Sequence, residues 1–73
     1  MRIYPAVGRE EAVEIAFRIN SSSDRELPSI FEGLRRRGRL SATVHQFNGM
    51  LEQPANREVA VRALKRMGLE HGG

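Results

Sequence analysis

The sequence predicts an all-α fold, a small bundle of three to four short helices with an extended N-terminal arm. Three observations carry that prediction. Apolar residues recur at spacings of three and four in four separate segments. Two of those segments close on cations followed by a lone glycine, Arg35-Arg36-Arg37-Gly38 and Lys65-Arg66-Met67-Gly68, as helices do. The prolines fall where helices begin or are absent: Pro5 in the arm, Pro28 at a helix start and Pro54 in a connector. At 73 residues the chain has room for one domain, and a chain of that size buries only about 60–65% of the surface its unfolded form exposes.

Taken in order, Met1–Val7 reads as the arm, with Pro5 limiting it to an edge strand at most. The first helix spans Gly8 to Asn20. Glu10 and Glu11 sit in its first turn, where the helix dipole favours anions. Ala12, Val13, Ile15, Ala16, Phe17 and Ile19 give it an apolar face wider than one stripe requires. Glu14 and Arg18 have the spacing of an i,i+4 ion pair, and Ser21-Ser22-Ser23 ends the helix. The second helix starts between Asp24 and Ser29, where Ser23 with Glu26 and Ser29 with Glu32 both fit a capping box. Leu27, Ile30, Phe31 and Leu34 supply its buried stripe, and Gly38 is its left-handed terminator.

Ser41 is the expected cap of the third helix, with Leu40, Val44, Phe47 and Leu51 as its stripe. Asn48-Gly49 is also a strong hairpin signal, but Phe47 breaks the alternation a strand would need, so the helix is preferred. Gly49 inside a helix costs about 1 kcal/mol against Ala, which suggests close helix–helix contact there. Asn56 caps the fourth helix. That helix buries Val59 or Val61, Ala60, Ala63, Leu64 and Met67, with Leu69 folding back on Leu64 beyond Gly68. Residues 70–73 read as a frayed tail.

Composition excludes several function classes. The chain contains no cysteine, which removes disulfides, thiolate metal sites and a cysteine nucleophile. No apolar run approaches the roughly 20 residues of a spanning helix, and the start does not read as a secretory signal. The expected location is the cytoplasm. His45 and His71 are the only histidines, and His45 lies off the apolar stripe. Glu10 and Glu14 share a helix face, but nothing apolar surrounds them to raise a pKa. Ser21, Ser22, Ser23 and Asp24 come without a nucleophile elbow, and no glycine-rich phosphate loop is present. The expectation is a protein that is not an enzyme and needs no cofactor or metal.

Charge is uneven: residues 1–34 balance at −2 and residues 35–73 at +5. Arg35, Arg36, Arg37 and Arg39 form the densest basic run. The helix dipole alone accounts for cations at a C-terminus, stabilising each by about 0.3–1 kcal/mol. Their functional account is bidentate pairing with carboxylate or phosphate. Arg57, Arg62, Lys65 and Arg66 form a second set, which would join the first if the fourth helix packed near the end of the second. The third and fourth helices, joined through Gln53–Asn56, invite comparison with a helix-turn-helix, although Pro54 is unusual in that turn. The fourth helix is basic and amphipathic but lacks Trp or Phe to anchor it in a membrane, so no membrane partner is expected.

These features make the expected function a small regulatory or adaptor module that binds another protein. Docking would use the apolar face of the first helix with Ile3, Tyr4 and Val7 of the arm, and Arg35, Arg36, Arg37 and Arg39 on the rim. The alternative is a DNA- or RNA-binding regulator contacting phosphates through Arg35–Arg39 and through Arg57, Arg62, Lys65 and Arg66. A second copy of the chain is a further candidate partner, since so small a domain gains stability from oligomerisation.

Overall fold

The computed structural model describes residues 7–69. The tail over residues 70–73 and most of the arm, with Ile3, Tyr4 and His71, lie outside the described residues. The chain folds as four helices: α1 (Arg9–Ser21), α2 (Leu27–Arg36), α3 (Leu40–Met50) and α4 (Arg57–Arg66). No strand occurs among the described residues. The fold is the small helical bundle that the periodicity predicts.

The helix ends follow local chemistry. At the end of α1, the Ser21 hydroxyl donates to the Phe17 carbonyl at 2.8 Å and the Ser22 hydroxyl to the Arg18 carbonyl at 2.6 Å. Those bonds compete with the helical ladder, and the chain turns to extended geometry at Ser22. Glu26 then reaches back to Ser23, accepting from its amide at 3.4 Å and from its hydroxyl at 3.0 Å. The other box does not form, because α2 starts at Leu27 and Ser29 lies inside it, while Glu32 pairs with Arg35. Gly38 at φ 70° and Gly68 at φ 78° terminate α2 and α4. In both, two amides bond back across the turn: Gly38 to Arg35 and Arg39 to Leu34, then Gly68 to Lys65 and Leu69 to Leu64. This is the Schellman arrangement, and it needs the left-handed residue that only glycine adopts without strain.

Two expected caps are absent. Helix α3 starts at Leu40, directly after the α2 terminator, so Ser41 lies inside it. Asn56 precedes α4, but its backbone is helical (ψ −4°), and its amide donates to the Gln53 side chain instead of capping. Helix α3 runs straight through Asn48-Gly49. A Cβ added at Gly49 would lie 2.8 Å from Nη2 of Arg9. The atoms near Gly49 therefore belong to a side chain that crosses from α1, and not to the backbone of a packed helix as expected. Arg9 is held there by a 2.8 Å bond from its Nε to Gln46, whose own amide donates to the Val7 carbonyl.

The core gathers Ala12, Ala16 and Ile19 of α1, Leu27 of α2, Phe47 and Met50 of α3, and Ala60, Ala63 and Leu64 of α4 around Val7. Small alanines where α1 meets α4 let these two helices make the most extensive packing in the molecule. Helix α3 packs on both, whereas α2 makes its main contacts with α3 alone. The buried stripe of α3 is Thr43, Phe47 and Met50, rotated from the expected Leu40, Val44, Phe47 and Leu51. Leu40 and Val44 turn instead toward Phe31 of α2 and the end of α4. Thr43 is fully buried at no cost in lost hydrogen bonds, because its hydroxyl donates to the Arg39 carbonyl at 2.8 Å. Val7 is also buried, so it belongs to the core and not to an exposed docking arm.

Candidate functional site

The broad apolar face of α1 serves three directions. Ala12, Ala16 and Ile19 enter the core. Ile15 faces α2 on one side. Phe17, two positions on and about 160° round the helix, faces α4 on the other and is 60% exposed.

Because α2 leans on α3, it stands off from α1 and leaves a groove between them. Ile15, Ile30 and Leu34 form its apolar floor. Arg18 and Arg37 border both of its lobes, of about 120 and 260 Å³. Glu11, Glu14 and Arg39 complete the larger lobe, where Arg39 donates to the Glu11 carboxylate. The expected Glu14–Arg18 pair does not form. Arg18 and Arg37 are exposed and have no acidic partner within 4.0 Å among the described residues. The groove therefore offers apolar contact in the middle and two uncommitted guanidinium groups at its edge.

The basic run divides by side-chain direction. Arg37 and Arg39 reach the groove. Arg36 is exposed and lines no part of it. Arg35 folds onto Glu32, with contacts at 2.7 and 2.9 Å. The hydrogen bond and charge of Glu32 raise the Arg35 pKa still further above its ordinary value. That pair is exposed, so it adds little stability.

The second basic set also divides. Arg57 and Lys65 are exposed, and Arg62 pairs with Glu58 at 3.0 Å. Arg66, expected as a phosphate contact, has its guanidinium committed within the chain. Its Nη1 donates to the carbonyls of Ile19 and Ser22, both at 2.6 Å, and its Nη2 to Asp24 at 2.6 Å. It closes the C-terminus of α1, where unpaired carbonyls attract a cation. Among the described residues, Arg37 and Arg39 of the first set border the α1–α2 groove, and Arg62 of the second lines a groove between α1 and α4. The connector between α3 and α4, from Leu51 to Asn56, is six residues long, whereas a helix-turn-helix joins its helices through three or four.

Sequence reasoning overlooked Arg18, taking it as the partner of Glu14. The available signal was its spacing of three from Ile15, which puts both on one side of α1. Among the described residues no three His, Asp or Glu side chains gather as a metal site would need, and no helix is long and apolar enough to cross a membrane. His45 is exposed. No family model, curated protein or solved structure matches the chain.

Proposed function

We propose that the protein is a non-enzymatic adaptor or regulatory module whose α1–α2 groove docks an amphipathic, acidic segment of another protein. The observation that carries this reading is the pairing of an apolar floor, Ile15, Ile30 and Leu34, with the free guanidinium groups of Arg18 and Arg37. An apolar side chain of the partner fills the floor and supplies most of the affinity. Carboxylates pair with the arginines, which speeds encounter and fixes orientation more than it tightens binding. Nucleic acid is the weaker reading. It calls for a continuous positive surface, whereas Glu11 and Glu14 interrupt the first basic set, Glu58 the second, and Arg66 is occupied.

Affinity capture from lysate of the encoding organism, run with and without nuclease, tests this. Wild-type protein is expected to retain a discrete protein species that the Arg18→Glu/Arg37→Glu variant loses. Capture of DNA or RNA alone, or retention of the same species by the variant, contradicts the proposal.

A further inference from the structure

The other side of α1 carries a second surface, independent of the groove just described. Phe17 is the most exposed large apolar side chain among the described residues. It borders a shallow groove of about 370 Å³ with Asn20, Ala55, Glu58, Val59 and Arg62. The Asn20 side-chain amide donates to the Val59 carbonyl at 3.1 Å, so the groove has a fixed floor where α1 meets α4. Its polar rim consists of one acid and one base a helical turn apart, Glu58 and Arg62, with side chains 82% and 68% exposed.

We infer that this surface is the interface of a two-fold symmetric homodimer. Charge complementarity points to a second copy as the occupant. Glu58 and Arg62 are about 6 Å apart along α4. A two-fold axis that sets α4 antiparallel to its copy brings Glu58 opposite the second copy's Arg62, and Arg62 opposite its Glu58. In the proposed dimer Phe17 of each chain packs into the groove of the other. A surface of one aromatic, one acid and one base at this spacing is thus complementary to itself, as an isologous interface must be. The Glu58–Arg62 pair within one chain is solvent-exposed and contributes little, so exchanging it across the axis costs little. A buried aromatic in a pocket is the usual energetic centre of such contacts. The α1–α2 groove lies on the far side of α1 and stays open in the dimer.

Sedimentation equilibrium on the full chain tests the assignment, with circular dichroism to establish that each variant keeps its helix content. Wild type is expected to dimerise reversibly. Phe17→Ser, Glu58→Arg and Arg62→Glu should each raise the dissociation constant by about tenfold or more. An equimolar mixture of Glu58→Arg and Arg62→Glu chains should dimerise again, because both rim contacts are then Arg against Glu. A wild-type chain that stays monomeric to about 1 mM, a dimer indifferent to Phe17→Ser, or single reversals that associate like wild type would overturn the inference.

Discussion

At the scale of the residue, Arg66 connects the two ends of the longest-range packing in the molecule. Its guanidinium on α4 satisfies the last carbonyls of α1, and its side chain is 24% exposed, whereas that of its carboxylate partner Asp24 is 96% exposed. The carbonyl bonds should therefore matter and the ion pair should not. Arg66→Met is expected to lower unfolding free energy by about 1.5–3 kcal/mol, the range for hydrogen bonds to a charged group, while Asp24→Asn costs below about 1 kcal/mol. Urea titration of both variants checks this, and a neutral Arg66→Met would refute the capping role. Two glycines make a second contrast. Gly68 has φ 78° with open space where a Cβ would go, so Gly68→Ala suffers backbone strain alone. The expected loss is about 1–2 kcal/mol. Gly33 lies inside α2 without positive φ and also faces open space. Gly33→Ala should gain about 0.5–1 kcal/mol from helix propensity and a less flexible unfolded chain. Thermal melts of the pair should move in opposite directions.

Among the elements, α2 stands apart. Leu27 is its one fully buried residue, and Ile30, Phe31 and Leu34 are half-buried. Local stability follows buried contact, so α2 is expected to open at lower free energy than the rest. Native-state hydrogen exchange should find α2 amides less protected than those of α1 and α4, and uniform protection would contradict the packing described. A loosely held α2 also suits a groove that must admit a partner side chain. The helices themselves were legible in the sequence, because periodicity, Gly38, Gly68 and the serine run are local signals. The buried face of α3 was not. Leu40 and Val44 are more apolar than Thr43, yet Thr43 is buried, since the direction of α1 and α4 decides which side of α3 is covered. The caps at Ser41 and Asn56 failed for a related reason: the preceding turn had already fixed the entry geometry.

For the whole molecule, the arrangement of charge matters more than its sum. A net charge of +3 with eight cations in the second half reads from sequence as a basic surface. The fold disperses it: Arg66 turns inward, Arg35, Arg39 and Arg62 take acidic partners, and Arg18 joins Arg37 at the α1–α2 groove. Sequence could nominate Arg37 and Arg39 but could not bring Arg18 to them, because that juxtaposition depends on how α2 leans from α1. Val7 shows the same limit, since an arm residue becomes core only through its neighbours on α1 and α3. The central claim is that this groove receives a protein segment. Its most direct test replaces Leu34 in the groove floor, and separately Arg57 on the basic face of α4, with photoreactive benzoylphenylalanine, followed by irradiation in living cells. The account predicts an adduct with a different protein from position 34 and, from position 57, none beyond a cross-link to a second copy of the chain. Adducts with a different protein from position 57 alone, or adducts to nucleic acid, would contradict it.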